Sequence, residues 1–305
     1  MRIVFAGTPE AAVPTLEGLA ASGHEIVAVV TREDAPRGRK RVLTPSPVAQ
    51  RAAELGLPIV KANRLDAEVT AGLLAREPEL GVVVAYGGLV REPLLSGPTH
   101  GWINLHFSEL PKWRGAAPVQ RAVLAGDTTS GIAVFQLEAG LDTGPTFVNR
   151  AVEIGTEESS GELLERLATE GVADVLTVVD AIASGTAIAT DQRGEPTYAP
   201  KLTGADGEID WNASAEAVSA RIRGATPEPG ATTRLGGERF KIHRIAHPSS
   251  DTALEAGLVA LVDGRVLVGT ATTALELVRV QPAGKNAMDA AAWWRGRHGA
   301  EVRFA

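Results

Sequence analysis

Met1-Arg2-Ile3-Val4-Phe5-Ala6-Gly7-Thr8-Pro9 opens the chain, and the order of its residue types decides the fold class. Ile3 to Ala6 is a short apolar run suited to a strand buried on both faces, and Gly7-Thr8 permits a tight turn. From Pro9 to Ala21 apolar residues recur every three or four positions, as they do on a helix. Strand, glycine turn and helix in that order form the repeating unit of a parallel sheet flanked by helices. The G-x-G-x-x-G spacing of dinucleotide-binding turns is absent, which disfavours a nicotinamide-dependent oxidoreductase. A helix start still offers N–H groups to an anion, beside the plainer reading of Gly7 as a turn residue.

The pattern repeats outward from this segment. Ile26 to Val30, Val82 to Ala85, Trp102 to Leu105 and Ile132 to Leu137 read as further strands, and Pro47 to Leu55, Asp66 to Arg76 and Ala116 to Ala125 as helices. Glu158 to Ser184 carries a long apolar stripe that should pack back on the sheet, so the first half is expected to be α/β and doubly wound. Gly185 to Gly207 is rich in Gly, Pro, Thr and charge and reads as a linker. Beyond it a short helix at Ala215 to Arg223 precedes strands at Ala231 to Leu235, Arg239 to Ile245, Gly257 to Val262, Arg265 to Val268 and Ala274 to Val280. Gly236-Gly237 and Asp263-Gly264 between them are hairpin turns of a small antiparallel barrel. The expected division is residues 1–188, a linker at 189–205, and 206–305.

A length of 305 residues and 44% hydrophobic content suit two ordinary domains with their own cores. There is no cysteine, which removes disulfides, thiolate metal sites and cysteine nucleophiles. The N-terminus lacks the pattern of a secretion signal, and no apolar run approaches the roughly 18 residues needed to span a bilayer, so a cytoplasmic protein without membrane insertion is expected. A net charge of -7 argues against a general nucleic-acid coat. The charge is uneven: residues 1–200 hold 17 Lys+Arg against 25 Asp+Glu, and the remainder 13 against 12. The one dense basic segment, Arg37-Gly38-Arg39-Lys40-Arg41, lies in a long loop from Arg32 to Ser46 and is either a phosphate contact or a solvated charged loop.

Two polar segments stand where an open sheet places its chemistry. Asn104-Leu105-His106 ends a buried strand, and side chains two apart on a strand share a face. Their functional reading is an amide donor beside an imidazole; the plain one is a capping Asn and a structural His. Glu138-Ala139-Gly140-Leu141-Asp142-Thr143-Gly144 follows the next strand, and two glycines there would let the backbone approach a ligand. Asp142 in that loop either pairs with His106, raising its pKa and orienting it, or occupies an ordinary turn position. The six histidines are scattered and form no metal-ligand cluster, so no metal is expected.

Further segments carry a family resemblance: Phe5-Ala6-Gly7-Thr8-Pro9, Pro45-Ser46-Pro47-Val48, Val83-Val84-Ala85-Tyr86-Gly87, Asn104-Leu105-His106 and Leu110-Pro111-Lys112-Trp113-Arg114-Gly115-Ala116-Ala117-Pro118. Gly140-Leu141-Asp142-Thr143-Gly144, Ile209-Asp210-Trp211 and Gln281-Pro282-Ala283-Gly284-Lys285 extend it along essentially the whole length. In these motifs the chain resembles the methionyl-tRNA formyltransferase family. The resemblance implies a Rossmann-like formyltransferase domain followed by an OB-like barrel. Asn104, His106 and Asp142 would be its catalytic residues, with 10-formyltetrahydrofolate as co-substrate held by Tyr86, Gly87, Gly88, Leu89, Ser108, Glu109, Leu110 and Pro111. Initiator methionyl-tRNA would meet Arg37, Arg39, Lys40 and Arg41, with Arg39 at the family's key position, and the protein would be a monomer.

The implied reaction is attack of the methionine α-amine on the formyl carbon, with Asn104 and a protonated His106 donating to the carbonyl oxygen and Asp142 holding His106. An amino sugar or glycinamide ribonucleotide is the alternative acceptor, and a catalytically silent tRNA-binding module is the alternative class. Glu109 and Phe107 depart from the family's usual leucine and glycine, and Thr226-Pro227-Glu228-Pro229 replaces a more aromatic segment.

Overall fold

The computed structural model describes residues 1–38, 41–248, 252–297 and 302–305. The chain divides into two compact units: Met1–Pro118, Ser130–Val152 and Leu164–Ala199 form the first, and Val119–Thr129, Glu153–Leu163 and Pro200–Ala305 the second.

The first half of the chain runs β1 (Arg2–Gly7), α1 (Val13–Ala20), β2 (Glu25–Thr31), β3 (Ala35–Arg37), β4 (Val42–Thr44), α2 (Pro47–Glu54), β5 (Ile59–Lys61), α3 (Ala67–Leu74) and β6 (Leu80–Val84). It continues with β7 (Trp102–His106), β8 (Arg114–Gly115), α4 (Pro118–Leu124), β9 (Thr129–Gln136), β10 (Thr146–Glu153), α5 (Ser160–Ser184) and β11 (Tyr198–Ala199). A seven-stranded sheet takes the order β10-β9-β7-β6-β1-β2-β5. Its pairs β6–β7, β1–β6, β1–β2 and β2–β5 are parallel, which is the doubly wound arrangement read from the alternating pattern. Ile3 to Ala6 and all five residues of β6 are buried, as strands covered on both faces must be. Gly81 in β6 leaves room for the Trp102 ring, with which a Cβ there would collide, and Trp102 Nε1 donates to the Leu94 carbonyl at 2.8 Å.

Several local expectations change. The helix expected from Pro9 to Ala21 divides into a 3-10 turn at Glu10–Ala12 and α1, with Pro14 in the first turn of α1, where its missing N–H costs nothing. The loop from Arg32 to Ser46 contains the β3–β4 hairpin, pairing Ala35 with Thr44 and Arg37 with Val42. β5 is too short to show a period, and β10 alternates only partly between buried and exposed positions; both lie at sheet edges. α2 and α3 begin where side chains cap them: Ser46 accepts from the Ala49 N–H and Asp66 from the Val69 N–H, each at 3.0 Å.

The rest of the chain runs α6 (Ala215–Ala225), β12 (Ala231–Leu235), β13 (Glu238–Ala246), β14 (Leu258–Val262), β15 (Arg265–Val268), β16 (Leu275–Gln281), β17 (Met288–Asp289), α7 (Ala290–Arg295) and β18 (Val302–Arg303). The strand order is β12-β13-β16-β15-β14-β18, with β17 on β16. Gly236, Gly237, Asp263 and Gly264 all have positive φ, which suits the tight turns joining β12 to β13 and β14 to β15. Leu235 bridges Phe304, and Arg234 and Ala305 exchange backbone hydrogen bonds of 3.3 and 3.1 Å, so the chain end ties the last strand back to the first and closes a barrel. Trp211, Phe240, Trp293 and Phe304 fill its core, with ring centroids 4.9 Å apart for Phe240–Trp293 and 5.5 Å for Trp211–Phe304. Among the described residues no helix is long and apolar enough to cross a membrane.

Candidate active site

β7 lies between parallel β6 and antiparallel β9, with Val83 opposite Asn104 on one side and Ala133 opposite His106 on the other. Asn104 is half-buried, and its amide has no hydrogen-bond partner among the described residues. His106 is buried, packed edge-on to Phe135 with ring centroids 6.3 Å apart. Its Nε2 lies 2.9 Å from the Trp113 carbonyl. A carbonyl only accepts, so Nε2 carries a proton, and in the neutral ring Nδ1 is left with its lone pair. Nδ1 is 3.9 Å from Asp142 Oδ2.

That separation corrects the expectation that Asp142 orients the imidazole directly. The ring is oriented by Trp113, whereas the Asp142 carboxylate accepts the Gly115 N–H at 2.7 Å. The expected upward pKa shift of His106 is also reversed. Burial is the largest influence and pushes the pKa down, while the Asp142 charge and the Trp113 carbonyl oppose it without overcoming it. The resting imidazole is therefore neutral, not the protonated donor expected.

The route by which Asp142 arrives is also different. Because β9 is antiparallel to β7, Gln136 ends it beside Ile103, three residues before His106. The loop after β9 thus leaves from the far end of β7 and must fold back to reach the imidazole. Gly144 makes the fold possible, since a Cβ there would collide with the Gln136 carbonyl oxygen. Asp142 itself has φ 51°, in the left-handed region where a non-glycine residue is strained. Gly115, with φ 122°, lies against the Ala199 backbone, and a Cβ there would stand 2.9 Å from its carbonyl oxygen.

The expected folate residues occupy the loops after β6 and β7. Tyr86 is buried and its hydroxyl donates to the Ala62 carbonyl at 2.7 Å; burial raises its pKa, so the phenol stays neutral. Gly87 has φ 79° with open space where a Cβ would stand, Gly88 is half-buried, and Leu89 is 67% exposed, an apolar side chain facing solvent. Ser108 is fully buried and donates to the Lys112 carbonyl at 2.6 Å, closing its own loop. Leu110 and Pro111 are buried, and Glu109 is exposed. Asn149 on β10 holds Leu110 twice, accepting its N–H at 3.0 Å and donating to its carbonyl at 2.7 Å. Asn149, Trp113 and Gly115 were not singled out as site residues from sequence. Trp113 and Gly115 act through backbone atoms, which residue type does not reveal.

Arg37 and Arg41 stand exposed on the β3–β4 hairpin, without an ion-pair partner among the described residues, next to exposed Val42 and Leu43. Arg39 and Lys40 lie outside the described residues. No hydrogen bond or ion pair joins Arg37 or Arg41 to Asn104, His106 or Asp142. The stretch expected to be a linker, 189–205, is bonded from Thr190 to Ala199: Thr190 pairs with Thr146, and Tyr198 and Ala199 pair in parallel with Arg114 and Gly115.

Known proteins resemble the chain in sequence and in fold. The formyl transferase family model matches residues 1–179, and that of the formyl transferase C-terminal domain matches residues 201–298. A methionyl-tRNA formyltransferase of Clavibacter sepedonicus is 60% identical over 296 residues, 97% of each chain. In fold, the chain matches a methionyl-tRNA formyltransferase from Clostridium thermocellum with a TM-score of 0.58 at 17% identity, covering 82% of this chain and 95% of that one. It also matches HypX from Aquifex aeolicus in complex with tetrahydrofolic acid, with a TM-score of 0.66 at 17% identity over 96% of this chain and 46% of that one. On its sequence kinship over nearly its whole length, the chain belongs to the methionyl-tRNA formyltransferase family.

Proposed function

We propose that Asn104, His106 and Asp142 are the catalytic groups with which this chain moves the formyl group of 10-formyltetrahydrofolate to the α-amino group of initiator methionyl-tRNA. The product is the N-formylmethionyl-tRNA of translation initiation. The observation that carries the assignment is burial: among the described residues, His106 is the one buried histidine and Asp142 the one buried carboxylate, and they face each other at 3.9 Å. Taking an imidazole and a carboxylate out of water is costly and adds little to stability, so their coincidence beside an unpartnered amide points to chemistry.

Residues of the expected substrate loops have the chemistry each substrate needs. Gly87 and exposed Leu89 offer an open, apolar approach for a flat pteridine, and Leu110 and Pro111 close the neighbouring loop. Arg37 and Arg41, with Arg39 and Lys40 between them in sequence, suit the tRNA backbone. The bound folate supplies the formyl carbon under attack. Asn104 donates an N–H to the oxygen of that carbon as negative charge develops on it. Neutral His106, its Nε2 committed to Trp113, takes the proton of the attacking amine at Nδ1. Asp142 then stabilises the imidazolium, and the proton passes to the departing folate nitrogen as its bond to the formyl carbon breaks.

Asp142→Asn keeps the size and the Gly115 contact but removes the charge. It is expected to fold normally and to lose about 10²–10⁴-fold in turnover, measured as N-formylmethionine released from charged initiator tRNA. Near-normal turnover would refute the assignment.

A further inference from the structure

Asp142 is gripped at its backbone by a side chain that follows it by 50 residues. Gln192 Nε2 donates to the Asp142 carbonyl at 2.9 Å and to the Gly144 carbonyl at 2.8 Å. Gln192 Oε1 accepts from Arg114, at 3.2 Å from Nε and 2.6 Å from Nη2. The orientation of the amide is forced, because carbonyls only accept and a guanidinium only donates. Arg114 is in turn the neighbour of Gly115, whose N–H holds the Asp142 carboxylate. The bonds therefore form a closed circuit, from Arg114 through Gln192 to the Asp142 backbone, and from the Asp142 side chain back to Gly115.

The segment carrying Gln192 is itself anchored on both sides of this circuit. Thr190 and Thr146 exchange backbone bonds of 2.8 and 2.9 Å, and Thr197 accepts the Trp113 N–H through Oγ1 at 2.9 Å. Trp113 supplies the carbonyl that orients His106. The strap from Thr190 to Ala199 thus reaches the backbone that sets each member of the buried pair.

We propose that Gln192 is a positioning residue for formyl transfer: it holds the left-handed Asp142 backbone so that the carboxylate stands opposite His106 Nδ1. The inference rests on the catalytic assignment of Asp142 above. At 3.9 Å the two groups are not locked by a hydrogen bond of their own, so their separation depends on what holds Asp142 from behind.

The test uses the full chain with 10-formyltetrahydrofolate and charged initiator tRNA. Gln192→Ala is expected to lower kcat by about 10²-fold, the scale of a small misplacement of a reacting group, while KM for the folate stays within about threefold. The His106 titration, followed by NMR of the imidazole nitrogens and assigned with a His106→Gln variant, should move to lower pH, since the Asp142 charge that raises it is displaced. Gln192→Glu preserves the bond from Arg114 but turns a carboxylate towards two carbonyls, and should lose activity likewise; it carries the test if the alanine variant does not fold. Turnover within about twofold of the parent in either folded variant, or a loss of kcat with the His106 titration unmoved, overturns the proposal. If Asp142→Asn is inactive while Gln192→Ala is fully active, only this inference fails; if Asp142→Asn is active, the catalytic assignment fails first.

Discussion

The two units bury different things. In the first, the buried set includes His106, Asp142 and Ser108, and the backbone passes through positive φ at the non-glycine residues Ala85, Trp113 and Asp142. In the second, among the described residues, nothing ionisable is buried; its interior is the aromatic group of Trp211, Phe240, Trp293 and Phe304, and Trp211 Nε1 donates to Thr233 Oγ1 at 3.0 Å. Buried polar groups and left-handed non-glycine backbone both cost free energy, and they persist only where their surroundings over-determine them. The first unit accumulates such costs around one imidazole. The second, among the described residues, has a left-handed non-glycine residue only at Asp263, in an exposed hairpin turn, and buries hydroxyls but no ionisable group.

That contrast predicts which property each substitution changes. Trp211→Ala empties the barrel core, which should cost about 3–5 kcal/mol in the stability of the second unit, read as a lower midpoint in denaturant. Below the transition the titration of His106 should be untouched; a shift would mean that the two units are not energetically separate. Asn104→Ala, in contrast, removes a half-buried amide with no partner among the described residues, so it should leave the melting temperature nearly unchanged. It should lower kcat by roughly 10²–10³-fold, about 2.7–4 kcal/mol of barrier, in single-turnover formylation. A large loss of stability without loss of rate would reverse its role. The smallest effect belongs to the hairpin. Arg41→Leu should raise KM for tRNA a few-fold and lower the salt dependence of tRNA binding by roughly one phosphate contact, with KM for the folate unchanged.

Legibility from sequence followed range. The buried strands and the Gly236-Gly237 and Asp263-Gly264 turns are written in residues within a few positions of one another, and the structure forms each of them. Asn104 and His106 were legible for the same reason, as polar residues two apart at the end of an apolar run. The direction of β9 was not, because an apolar strand reads alike in either orientation, and with it went the path by which Asp142 reaches His106. Nor could the charge state of His106 be read, since it turns on burial by neighbours distant in the chain.

Residue order by itself determined the alternating α/β half and the barrel-forming half, and pointed to the three side chains proposed as catalytic, because period, turn chemistry and motif are local properties. Only the tertiary structure decided that Trp113 orients the imidazole, that Gly115 holds the carboxylate from 27 residues away, and that Gln192 grips the same aspartate from 50 residues away. Those are backbone contacts between segments brought together by folding, and a backbone N–H or carbonyl is chemically the same at nearly every residue, so no residue type marks it in advance.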